Sequence, residues 1–214
     1  MIFKTSPASG GKGGPRHLAA LVLLLLLAQP VSSMTITRAT TTPRAEPQFT
    51  DTPTFTSAIL NSTNVYRKAH NASALTWNAT LASYARSYLS KAPCKMEHSG
   101  GPFGENLAVG CRNATAAVEA WGDERKWYNY ERPGYSAKTG HFTQLVWKAT
   151  RSVGCDRSLC GEKGWHLVCE YWPPGNVLGA FKNEVDRPKN DSRRDHLGWF
   201  GFLPVGIFLC LLFP

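Results

Sequence analysis

Residues 140–179 read GHFTQLVWKATRSVGCDRSLCGEKGWHLVCEYWPPGNVLG, and this stretch decides the fold. Thr139-Gly140 opens a helical turn, and Phe142, Leu145 and Val146 give it an apolar face. Ser152–Cys155 and Trp165–Tyr171 read as short strands rich in valine and aromatic residues. Pro173-Pro174-Gly175-Asn176 reads as a turn, since two prolines remove two backbone donors and fix φ. With Cys155 and Cys169 in the two strands, a disulfide between them would staple a hairpin.

Two runs inside the stretch resemble the signature motifs of the CAP superfamily, which takes in cysteine-rich secretory proteins, antigen five and plant pathogenesis-related class one proteins. The first is Gly140-His141-Phe142-Thr143-Gln144-Leu145-Val146-Trp147. The second is Leu167-Val168-Cys169-Glu170-Tyr171-Trp172-Pro173-Pro174-Gly175-Asn176. From Phe55 to Val185 the chain resembles the fungal branch, a set of secreted sterol-binding proteins. Leu75-Thr76-Trp77-Asn78 is similar to the family, as are Asn64, Arg67 and His70. Family members often carry a histidine just before that asparagine, where this chain has Thr63.

The chain of 214 residues has room for one domain with a proper core. Six cysteines without a CxxC pair argue against a zinc ribbon and for an oxidising compartment. The formal charge of +9 is partly terminal: without Lys4, Lys12, Arg16, Arg193, Arg194, Asp191 and Asp195 there remain 19 basic and 13 acidic groups, or +6. These charges form neither a run nor a helical stripe, which argues against nucleic acid as a partner. Weak attraction to anionic lipid or cell-wall polymer is compatible with them.

Both ends carry processing signals. A basic stretch precedes the apolar run Leu18–Ala28, and Val31-Ser32-Ser33 follows with small residues, so residues 1–33 read as a secretory signal peptide. Eleven apolar residues fall short of the roughly twenty that span a bilayer. Residues 34–53 hold seven threonines and three prolines and read as a flexible stalk, either O-glycosylated or a plain linker. The domain is expected over 54–186. At 187–214, Asn190-Asp191-Ser192 and a polar spacer lead into the apolar end Trp199–Pro214, which reads as a GPI-anchor signal with attachment at Asn190. A transmembrane helix fits less well, because Gly201, Pro204 and Gly206 interrupt the run.

Helices are expected over Phe55–His70, Asn78–Lys91 and Thr115–Trp127, with an irregular glycine-rich segment at Cys94–Gly110. Helices alternating with short strands suggest an α+β, three-layer α-β-α sandwich, and the resemblance implies the same fold. Asn61, Asn71, Asn78, Asn113 and Asn190 each begin an N-glycosylation sequon, which places them at the surface of an exported protein. The resemblance implies Cys94–Cys160 and Cys155–Cys169 as disulfides; the first closes a loop worth roughly 4 kcal/mol in the chain-entropy model. If the tail is removed Cys210 goes with it, leaving Cys111 as a buried thiol or an intermolecular bridge.

Four residues match the set that lines the central cleft of the family: His98, Glu105, Glu124 and His141. Two imidazoles and two carboxylates would suit zinc or another divalent cation, or general acid–base work. No serine or cysteine sits in a recognisable nucleophile motif. Tyr128, Tyr130 and Tyr135 satisfy an aromatic-x-aromatic-x4-aromatic pattern in the loop where fungal relatives bind sterol. Flat rings with polar tips suit a flat apolar ligand carrying one hydroxyl. The resemblance thus implies a secreted or cell-surface protein that binds sterols or small lipids without turnover and requires no cofactor. Two rivals stand beside it: a metal-assisted hydrolase using the His/Glu cleft, and a structural or defence-facing surface protein.

Overall fold

The computed structural model describes residues 46–189 and 210–213. The expected signal peptide, most of the stalk, and Asn190 with the spacer lie outside the described residues. Helix α1 (Pro47–Thr50) and helix α2 (Thr52–Ala69) come first. The Asp51 side chain caps α2 by accepting from Thr54 N at 2.9 Å, and Pro53 sits in the first turn, where its missing N–H costs nothing. Phe55, Ile59, Thr63 and Arg67, spaced four apart, form its buried face. The domain therefore begins earlier than residue 54. Phe49, assigned from sequence to the stalk, is in the core and stacks on Trp165 at 5.3 Å.

After strand β1 (Thr76–Trp77), Asn78 caps helix α3 (Ala79–Lys91), its Oδ1 accepting from Thr80 N and Leu81 N. Strand β2 (Gly104–Val109) follows, then helix α4 (Ala114–Asp123), capped by Asn113, and a 3-10 turn at Glu124–Trp127. The expected third helix thus tightens in its last turn. The stretch 140–179 supplies helix α5 (Gly140–Val146), strand β3 (Ser152–Leu159) and strand β4 (Trp165–Trp172). Helix α6 (Phe181–Glu184) and strand β5 (Leu211–Phe213) complete the order.

The sheet runs β1-β3-β4-β2-β5, with β1 parallel to β3 and every other pair antiparallel. Helix α3 covers one face against β3 and β4, and α2, α4 and α5 share the opposite face, giving the three layers. Period-2 alternation splits β4: Leu167, Cys169 and Tyr171 enter the larger core, and Val168 meets Ala85 and Leu89 of α3. At Gly154 of β3, a Cβ would lie 2.3 Å from Ala82 N and Asn78 O, so only glycine lets α3 approach this closely.

Segment Cys94–Gly110, read from sequence as irregular, contains β2, an interior strand of the sheet. Both of its faces are covered, which removes the apolar–polar alternation that would mark it. Cys155 and Cys169 oppose each other in register and are bonded, with 4.1 Å between Cα atoms, and Cys94–Cys160 is bonded as well. A third disulfide joins Cys111 to Cys210, so in the full-length chain Cys111 is neither a free thiol nor an intermolecular bridge. Strand β5 lies beside that bond, paired to Leu107–Val109.

Arg67 binds the helical layer to the chain leaving α5. Its guanidinium is buried and donates to the carbonyls of Ser73, Leu145, Trp147 and Thr150 at 2.7–3.0 Å. Burial pulls its pKa down to about 10.

Candidate functional site

Above the β2–β4 pair, α5 and the Pro173–Asn176 turn enclose a cleft of about 260 Å³. His98, Glu105 and His141 line it, and Glu124 stands behind His141. The four residues expected from sequence come together as two pairs. His98 Nδ1 lies 2.5 Å from Glu105 Oε1, and His141 Nδ1 lies 2.6 Å from Glu124 Oε1. The pairs differ in exposure: the His98 side chain is 41% exposed, whereas both members of the second pair are buried.

Each carboxylate is held by backbone as well. Ser99 N donates to Glu105 at 3.0 Å, and Phe142 N donates to Glu124 Oε2 at 3.1 Å. Trp121 stacks on His141 with 6.2 Å between ring centres and anchors itself by donating to Leu107 O. Asn106 on β2 donates to His141 O at 3.1 Å. Gln144 accepts from Gly175 N at 2.8 Å; Asn176 donates to Gly140 O and accepts from Thr143 Oγ1. The amides of the floor are thus engaged with neighbouring chain.

The donor set does not form one ligand sphere. Among the described residues no group of three or more His, Cys, Asp or Glu is placed to hold a metal ion. The Nδ1 atom of each histidine is committed to its own carboxylate, an arrangement in which a metal would be taken by the Nε2 side of the ring.

Glu170 escaped the reading of the sequence, although it sits inside the quoted motif. It is 0% exposed and faces Glu105 across the ladder. No donor N–H or O–H reaches either of its oxygens, and its carboxyl contacts that of Glu105. Two buried carboxyl groups this close do not both ionise. Burial first, and then the charge of Glu105, push Glu170 up to about 10. Burial works against ionising Glu105 too, but hydrogen bonds with His98, Glu170 and Ser99 hold it below the usual carboxylate range. Glu170 is therefore the neutral acid and Glu105 the anion. The available signal was a carboxylate between Cys169 and Tyr171 in a strand whose other polar side chain is His166.

The three tyrosines do not share one slot. Tyr128 is 7% exposed and packs edge-on against Tyr130 and Phe142. Tyr130 is half-buried, with His70 stacked at 6.4 Å and the Arg187 guanidinium 5.0 Å from its ring centre. Tyr135, half exposed, lines the cleft instead, and Gly140 leaves its ring room, since a Cβ there would come within 3.3 Å of it. Beside them Trp127 is 56% exposed beneath Lys138 Nζ at 4.6 Å. Of the sequons, Asn61 is exposed on α2, Asn71 is exposed with φ of 59°, and Asn78 and Asn113 are half-buried helix caps.

Residues 60–171 match the sequence profile described as the cysteine-rich secretory protein family, CAP. The chain is 44% identical over 135 residues to Protein PRY2 of Saccharomyces cerevisiae, covering 61% of this chain and 41% of that protein. It is 41% identical over 134 residues to Secreted protein RBT4 of Candida albicans, covering 59% and 37%. It therefore spans less than half the length of these two relatives. The hookworm platelet inhibitor, 21% identical, shares the fold with a TM-score of 0.51, covering 63% of this chain and 77% of that one.

Proposed function

Because the chain belongs to the cysteine-rich secretory protein family, we propose that it works outside the cell as a binding protein for sterols or related small lipids, without chemical turnover. The observation that carries this reading is the arrangement of Trp127–Tyr135. Tyr128 fixes the base of the segment in the core, while Trp127 and Tyr135 leave half their surface open. Rigid rings held from below can cover a flat apolar ligand with little ordering cost, and each Å² removed from water contributes about 25 cal/mol. Tyr135 also stands beside the polar cleft, where a ligand hydroxyl would meet the His141 side.

Extracellular location accords with the leader expected at 1–33 and with the secreted relative. Retention at the cell surface by a GPI anchor at Asn190, with N-glycans at the sequons, belongs to the same proposal. Cleavage there would remove β5 and Cys210 from the finished protein.

The test is equilibrium binding of a fluorescent sterol to protein purified from culture medium. Saturable binding by the wild-type protein that weakens at least about tenfold in Tyr135→Ala, with the melting temperature unchanged, supports the reading. Equal affinity in the two proteins places the ligand elsewhere. A second reading, general acid–base chemistry on a peptide or ester, draws on the two His–carboxylate pairs of the cleft. A peptidase assay that detects turnover lost in His141→Ala would favour it.

A further inference from the structure

At the mouth of the cleft the chain displays an apolar tip. Trp172 is 47% exposed, Val177 51% and Leu178 81%. Leu178 is thus more open than any other large apolar side chain identified as exposed among the described residues. A surface loop often shows one such residue, but here two adjacent aliphatics and a tryptophan frame a single turn.

The turn is held rigidly. Thr150 Oγ1 donates to Pro173 O at 2.9 Å, and Arg151 N donates to Trp172 O at 2.9 Å. Gly175 N donates to Gln144, and the Asn176 side chain is fixed from both ends by Gly140 O and Thr143. Asn176 takes φ of 57°, the left-handed geometry that turns the chain outward into Val177. Phe103 meets Trp172 edge-on at 6.0 Å, and Phe103, Tyr135, Gly175 and Asn176 all line the cleft. The tip and its aromatic neighbours therefore stand beside the opening that the proposed lipid site borders.

We propose that the Trp172–Leu178 turn docks on an anionic lipid bilayer, with Val177 and Leu178 entering the headgroup–acyl boundary and Trp172 lying at the interface. Tryptophan favours that zone because its ring is apolar and its N–H is wet. Charge points the same way. Arg151 N bonds the turn at Trp172 O, Lys148 N bonds Glu184 O, and Lys182 follows Leu178 by four residues, with Glu184 and Asp186 as the acidic groups of the same segment. Lys148 is taken up by Asp186 at 2.6 Å, and Glu184 accepts from Ala149 N at 2.7 Å. Arg151 and Lys182 are exposed and form no ion pair among the described residues. Without the charges of its terminal segments the chain still carries +6, so an anionic surface attracts it at long range and the tip then adds apolar contact. The occupant is the bilayer itself and not a single lipid molecule, so this inference goes beyond the reading above and does not depend on it.

The experiment sediments the secreted protein with sterol-free vesicles of phosphatidylcholine alone or mixed with phosphatidylserine. Binding is expected to the phosphatidylserine vesicles, to weaken with salt, and to fall at least about tenfold in V177S/L178S. The exposed substitutions should leave the melting temperature and solution sterol binding as they are, so loss of one activity is distinguishable from loss of the other. Absence of binding by the wild-type protein overturns the proposal. So does equal binding by the variant, which would assign membrane contact to another surface of the protein.

Discussion

Glu105 and Glu170 oppose each other across the β2–β4 ladder, and they divide one proton unequally: Glu170 keeps it and Glu105 carries the charge. The folded pKa of Glu170 lies far above its ordinary value of 4.5, at about 10. Its stabilising contribution is thus complete below the unfolded value and is lost as pH rises through that window. Glu105 has the opposite sign: its contribution is present above its unfolded value and is lost in acid. In Glu170→Gln the side chain is neutral and has no proton to lose. The stability advantage of the variant over wild type should therefore grow as pH rises from about 5 to about 9, measured by thermal unfolding. Parallel curves would remove Glu170 as the proton carrier.

Tyr128 and Tyr135 belong to one sequence pattern but should respond oppositely to truncation. Tyr128→Ala empties a core position against Phe142 and should cost about 3–5 kcal/mol in a denaturant titration. Tyr135→Ala, at a half-exposed position, should stay within about 0.5 kcal/mol. A large loss at Tyr135 would make the cleft-lining ring part of the packing.

Cys111 reports on what becomes of the tail. While residue 210 is attached, digestion without reduction should yield a peptide linking Cys111 to Cys210. In protein released from membranes by phosphatidylinositol-specific phospholipase, that peptide should be missing and Cys111 should take up a thiol label or another partner. A linked peptide in the released protein would show that the anchor is not built at Asn190.

The sequence made some elements plain because several signals agreed. In 140–179, helical spacing, β-branched strands, paired cysteines and a diproline turn each pointed to the same geometry, and α5, β3 and β4 lie there. Strand β2 gave no such agreement. Its first half, Gly104-Glu105-Asn106, is polar because it builds the cleft, and its second half, Leu107–Val109, is too short to show a period. The threonine- and proline-rich composition around residue 49 hid a core phenylalanine, since composition averages over a window and stacking on Trp165 needs one residue. The cleft histidines and glutamates were legible by resemblance, but their division into two pairs depends on distances. Glu170 required the register: only beside Glu105 does a buried carboxyl gain a partner.

Arg67 has a consequence for how the domain comes apart. One guanidinium closes carbonyls in two separate segments, residue 73 after α2 and residues 145, 147 and 150 at the end of α5. Opening any one of them leaves a buried cation short of acceptors, a cost of about 1–3 kcal/mol for each group abandoned. Helix α2 and the chain after α5 should therefore exchange their amide hydrogens as one cooperative unit. Arg67→Met should split that unit, with the amides of 145–150 exchanging well before those of α2.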